Sequence, residues 1–149
     1  MKLSKNFILK EFLVSNVAKR KGIELNPDEK HINNLQSLVI NVLQPLRDGL
    51  SEGIRINSGY RSEELNRAIG GSKTSQHCKG QAADIRLSNR KDNEKIFKKV
   101  LELGLDFDQM INEFDYTWIH ISFRNDGENR KQLLEAYKGE NGKTKYKLI

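Results

Sequence analysis

The sequence predicts an α+β fold, a small antiparallel sheet flanked by helices. Three observations carry that expectation. Apolar residues recur at three- and four-residue spacing through Ile32, Leu35, Leu38, Val39, Val42, Leu43, Leu46 and Leu50, the stripe of an amphipathic helix. Two short stretches, Ala82 to Leu87 and Trp118 to Phe123, instead alternate apolar and polar side chains, the period of strands buried on one face. The chain has 149 residues, with no low-complexity run, linker or internal repeat between these segments. That length buries enough surface for one domain spanning residues 1–149.

Taken in order, Phe7 to Gly22 mixes apolar residues with charges and predicts one or two short helical turns, with Ser15 as an N-cap and Gly22 as a stop. Pro27-Asp-Glu opens the longest helix. Pro45 lies inside its stripe and is expected to kink it or end its first part, because proline has no N–H to donate. Gly53 to Asn57 reads as a short strand that feeds Ser58-Gly-Tyr-Arg. Ser62 then caps a helix from Glu63 to Ile69, and Gly70-Gly-Ser72 ends it. Gly80, which adopts positive φ without steric cost, reverses the chain before the strand beginning at Ala82. Arg90 to Gly104 predicts a helix through Ile96, Phe97, Val100, Leu101 and Leu103, and Asp106 to Phe114 a strand. Beyond Arg124 the signals weaken: a turn at Asp126-Gly127, a helix over Arg130 to Tyr137, a turn at Gly139 to Gly142, then a short basic strand.

Composition narrows the function classes. The formal charge of +6 comes from 26 basic and 20 acidic residues spread along the chain. Lys19-Arg-Lys21, Lys98-Lys99 and Lys143 to Lys147 read as solvated faces, since no helix-turn-helix, zinc-finger or aromatic-basic RNA motif accompanies them. At most the charge aids attraction to an anionic surface. A lone Cys78 forms no internal disulfide and is expected to be a bystander. Lys10 and Glu11 interrupt the N-terminal apolar residues, so neither a signal peptide nor a membrane span is expected, and the chain is expected to be made in the cytoplasm.

The chemistry concentrates in two segments. Two of the three histidines, His77 and His120, fall in short polar stretches, and Asp84 stands beside the first. On their strands Asp84 and His120 face away from the apolar layer formed by Ala83, Ile85 and Leu87 and by Ile119, Ile121 and Phe123. Two imidazoles and a carboxylate match the three protein ligands of an open zinc site, whereas closed structural sites use four ligands rich in cysteine. Seven extended residues would separate His77 from Asp84 by about 23 Å, so the chain must double back between them. The competing reading is one polar strand face that carries histidines by chance. Arg61 likewise reads either as a functional cation or as a surface ion pair, and His31 as a capping or solvent-facing residue of the long helix.

Ser58-Gly-Tyr-Arg-Ser62, Asn66, Gly70-Gly-Ser72, Ser75-Gln-His77, Gly80, Ala82-Ala-Asp-Ile85 and Trp118-Ile-His-Ile-Ser122 together resemble the zinc D-Ala-D-Ala carboxypeptidase group of peptidases. Within it they resemble the compact branch common in bacteriophages and prophages. The resemblance covers about residues 4–124 and leaves 125–149 as an extension. It implies a Hedgehog/DD-peptidase-like fold, one Zn2+ held by His77, Asp84 and His120, and Arg61 facing the substrate. It also implies hydrolysis of a peptide bond in peptidoglycan, by a D,D-carboxypeptidase or an endolysin-type endopeptidase. The alternative is a non-catalytic zinc-containing wall-binding or phage structural module. The expected partner is the peptidoglycan stem peptide, met by a monomer at the wall after holin-dependent exit. Ser75 and Asn66 are expected as polar support, and Trp118 either as a cleft wall or as a packing residue.

One departure concerns the base. Relatives often carry a carboxylate three residues before the last histidine, where this chain has Thr117. Asp108-Gln-Met-Ile-Asn-Glu113 is similar to a run that compact relatives show before this strand. A hairpin turning on Tyr116-Thr117 would set Phe114 opposite Ile119 and Glu113 opposite His120, with Cβ atoms about 4.5–5.5 Å apart. Glu113 is therefore the expected base and Asp115 the reserve.

Overall fold

A computed structural model describes residues 1–149. After a 3-10 turn at Leu9–Leu13, α1 (Asn16–Lys21) runs between the expected caps: Ser15 Oγ accepts from Ala18 N at 3.2 Å, and Gly22 closes the helix at φ 66°. α2 (Glu29–Leu38) continues through a wide π turn at Val39–Leu43 into α3 (Gln44–Leu50). In the π turn Gln44 N–H donates to Val39 O, five residues back. This widening accommodates Pro45, so the helix is neither broken nor ended there. β1 (Arg55–Ser58) follows, then α4 (Glu63–Ala68), which Ser62 caps through Leu65 N at 3.1 Å.

β2 (Ala82–Arg86), α5 (Glu94–Glu102), β3 (Gln109–Glu113) and β4 (Trp118–Ser122) bear out the expected alternation. Two further strands, β5 (Gln132–Lys138) and β6 (Thr144–Leu148), complete a six-stranded sheet in the order β1-β2-β4-β3-β5-β6. The expected helix over Arg130 to Tyr137 is therefore corrected to a strand. Its Leu133-Leu134 pair serves two faces, Leu133 packing on the core and Leu134 on the opposite side, and its backbone pairs with the outer edge of β3. That pairing is parallel, so the sheet is mostly rather than wholly antiparallel.

The alternating strands place Ala83, Ile85, Met110, Ile119 and Ile121 on one face, where they join Leu35, Leu38, Val42, Leu46 and Val100 of the helices in a single apolar core. α2, α3 and α5 cover that face. The polar residues of β2, β3 and β4 are left on the opposite face, which carries the site.

Candidate functional site

The chain doubles back between His77 and Asp84 through a 3-10 turn at Gln76–Lys79, closed by Gly80 at φ 74°. Ser75 Oγ accepts from His77 N at 3.2 Å and starts the turn, while Asn34 Nδ2 donates to Lys79 O at 2.8 Å and ties it to α2. A Cβ on Gly80 would stand 2.5 Å from His31 O, so glycine is required for space as well as for φ. His77 is buried, and its Nδ1 lies 2.8 Å from Gly59 O. A carbonyl only accepts, so the proton sits on Nδ1 and Nε2 keeps its lone pair. Gly59 itself admits no side chain, because a Cβ there would lie 2.7 Å from the Phe12 backbone.

Asp84 and His120 are direct cross-strand partners in the β2–β4 ladder. Asp84 Oδ1 lies 3.0 Å from His120 Nδ1 and 3.4 Å from His77 Nε2, and Asp84 Oδ2 lies 3.6 Å from an Arg61 terminal nitrogen. One ligand atom from each of His77, Asp84 and His120 falls within 4.8 Å of the other two, a grouping able to hold a metal ion. Burial pushes the His77 imidazole down, toward the neutral form a metal needs. Burial pushes the Asp84 carboxyl up, but the adjacent histidines outweigh it and hold the group well below the usual carboxylate range. Two imidazole nitrogens and an ionised carboxylate are the donor chemistry of an open zinc site. Arg61 is steadied by Asn66, whose Oδ1 accepts at 3.3 Å while its Nδ2 donates to Ser72 O at 2.8 Å.

Glu113 ends β3 on the same face, in a cleft of about 590 Å³ that is also lined by His77, Asp84, His120, Arg61 and Trp118. Its register differs from expectation. Glu113 pairs with Trp118, and Ile111 is the residue opposite His120, because the hairpin turns over four residues, Phe114 to Thr117. A displacement of two preserves the face, so Glu113 remains a diagonal neighbour of His120. Phe114 does not enter the apolar layer but packs on Trp118 with ring centroids 5.6 Å apart. Burial pushes the Glu113 carboxyl up to about 7, helped by Asp84 and opposed by His120 and Arg61. Asp115 is exposed at the tip of the turn.

That turn holds Phe114, Asp115 and Tyr116 at φ 50°, 54° and 61°, each costing about 1–2 kcal/mol for a residue with a Cβ. Surrounding bonds hold it in place: Tyr116 N donates to Asn112 Oδ1 at 2.5 Å, and the buried Asn93 donates to Tyr116 O and Thr117 O at 2.9 and 3.1 Å. Neither asparagine carried a sequence signal, since the turn lacks the glycine that usually marks such φ values. A second unforeseen network centres on Asp108, which is 1% exposed. It accepts from Arg130 Nε and Nη2 at 3.0 and 2.9 Å and from Gln76 Nε2 at 3.0 Å, tying the C-terminal segment to the turn that carries His77. Cys78 is half-buried, burial pushes its thiol up, and it does not line the cleft. His31 exchanges capping hydrogen bonds with Asp28 and packs on Tyr60, as a capping residue should.

No helix is long and apolar enough to cross a membrane. Comparison with curated proteins returns no match. A family model described as Peptidase M15 matches residues 5–122, a span that runs through β4 and contains Arg61, His77, Asp84, Glu113 and His120. Peptidases of this family are zinc-dependent, in keeping with the donor set. By that match over most of its length, the chain belongs to the Peptidase M15 family.

Proposed function

We propose that the protein is a zinc-dependent peptidoglycan peptidase that hydrolyses a peptide bond of the bacterial cell wall. The observation that carries this reading is the convergence of three ligand-type atoms within 4.8 Å of one another, in the same cleft as the raised carboxyl of Glu113. His77, Asp84 and His120 would hold the ion. Zinc bound there supplies a Lewis acid that polarises a carbonyl and lowers the pKa of water to about 7.

Glu113 acts as the general base. Its carboxylate takes a proton from the attacking water as the oxygen bonds to the carbonyl carbon, and returns it to the amine nitrogen as the C–N bond breaks. A carboxyl titrating at about 7 suits both transfers near neutral pH. Asn66 and Ser58 Oγ hold one side of the Arg61 guanidinium, leaving further N–H groups for the negative charge that develops on the carbonyl oxygen or for a substrate carboxylate. Trp118, packed against Phe114 with the two rings tilted at 54°, lines the cleft and would wall the bound peptide.

Purified peptidoglycan incubated with zinc-loaded protein, beside a chelator-treated sample, tests the proposal by mass spectrometry. Free D-alanine is the expected product of a D,D-carboxypeptidase, and a new peptide end that of an endopeptidase. No zinc-dependent product across several wall types, from protein that still binds zinc, would favour a non-catalytic wall-binding module.

A further inference from the structure

The family match ends at residue 122, yet the cleft continues beyond it. Past Glu113 the sheet extends through β5 and β6, and their register carries one row of side chains across four strands. Trp118 stands opposite Glu113, Glu113 opposite Ala136, and Ala136 opposite Tyr146. Residues in register share a face, so all four stand on the cleft side. With strands about 4.8 Å apart, Glu113 and Tyr146 are separated by about 10 Å at Cβ, with only the alanine methyl between them.

Ala136 is 1% exposed, whereas Tyr146 is 55% exposed and lines the cleft with Leu134 and Thr144. Burial first, then the Glu113 and Asp84 carboxylates, push the Tyr146 phenol up, which keeps its hydroxyl protonated and able to donate. The arginine on this side of the cleft, Arg130, is engaged by both oxygens of Asp108. What remains is an apolar, hydroxyl-bearing wall. Such a wall suits peptide amides carrying small apolar side chains, as in an alanine-containing stretch of a stem peptide, better than a free carboxylate.

We propose that the β5–β6 hairpin is a binding wall for the substrate peptide on the far side of Glu113 from the ligand group, with Tyr146 as its specificity-determining contact. This rests on the peptidase reading. The test measures hydrolysis of soluble muropeptides by zinc-loaded wild type, Tyr146→Ala and Tyr146→Phe, with zinc content and thermal midpoint recorded for each.

Tyr146→Ala is expected to raise KM about tenfold, the scale of one aromatic contact, while kcat stays within about twofold. Tyr146→Phe, which keeps the ring and loses the donor hydroxyl, should raise KM less than Tyr146→Ala does, by about two- to fivefold. An unchanged KM in Tyr146→Ala overturns the inference, as does a loss that falls on zinc content or thermal midpoint instead. Calorimetric titration of the same muropeptides into Glu113→Gln, with and without Tyr146→Ala, reads the wall without turnover. If the wild type cleaves nothing, the peptidase reading fails, and the hairpin stands or falls on whether Tyr146→Ala weakens this binding.

Discussion

Replacing Glu113 by glutamine separates the catalytic role of this side chain from the cost of burying it. Burial raises the carboxyl from its ordinary 4.5 to about 7. Below pH 4.5 it is protonated in folded and unfolded chains alike and contributes no pH dependence. Between 4.5 and about 7 the unfolded chain ionises while the folded carboxyl keeps its proton, so stability falls as pH rises, and the loss is complete above about 7. Sealed from water, a rise of that size would correspond to about 3.4 kcal/mol. The cleft is open to solvent, and screening reduces this to about 1–2 kcal/mol. Glutamine is neutral at every pH and removes the loss. Thermal melts of chelator-treated protein should therefore show Glu113→Gln about 3–6 °C above wild type at pH 8 and little changed at pH 5. Zinc-loaded Glu113→Gln should retain its metal yet lose about 10²–10⁴-fold in hydrolysis. Equal melting shifts at the two pH values would refute the burial argument, and full activity would move the base to Asp115.

The other predictions concern the metal group and the backbone. His77→Ala, Asp84→Ala and His120→Ala should each abolish stoichiometric zinc in atomic emission measurements, while Cys78→Ser keeps it; zinc lost from Cys78→Ser would make the thiol a ligand. Gly80→Ala forces a Cβ to φ 74° and to within 2.5 Å of His31 O, so urea unfolding should show a loss of about 2–3 kcal/mol with weakened zinc binding. Asp115→Gly relieves an exposed residue held at φ 54° and should gain about 0.5–1 kcal/mol in the same assay without loss of hydrolysis.

Much of this arrangement was legible because period and rarity coincide. The apolar stripe from Ile32 to Leu50 fixes the helical layer, and the alternation around Asp84 and His120 puts both on the uncovered face of the sheet, as their cross-strand pairing shows. The hairpin register was not legible, because three consecutive non-glycine residues adopt left-handed backbone under the control of the distant Asn93. The face of Glu113 was predictable even so, since a displacement of two leaves the alternation in phase. β5 was hidden for a different reason. Leu133-Leu134 is a short apolar run compatible with helix or strand, and only the open edge of β3, which lies far away in sequence, decides between them.

Three buried carboxyls, two lining the cleft and one bonded to residues of its wall, divide the labour among them. Asp84 is kept ionised by the histidines that share it, so it offers a permanent negative donor. Burial pushes Asp108 up, but the hydrogen bonds and charge of Arg130 hold it below its ordinary value, and with both oxygens occupied it serves as a fastener between Gln76 and the C-terminal strands. Glu113 has no such cation in direct contact, and burial, with a smaller push from Asp84, carries its carboxyl toward neutrality. Environments that drive like groups apart in this way distinguish a proton carrier from its neighbours. A cation placed against Glu113 would erase the distinction. Ala136, its partner on β5, is the position from which an introduced lysine would do so. Ala136→Lys should therefore move the acidic limb of the kcat/KM profile to lower pH and reduce the maximum, because a more acidic carboxylate is a weaker base. An unmoved limb, in protein that folds and retains zinc, would assign that titration to another group.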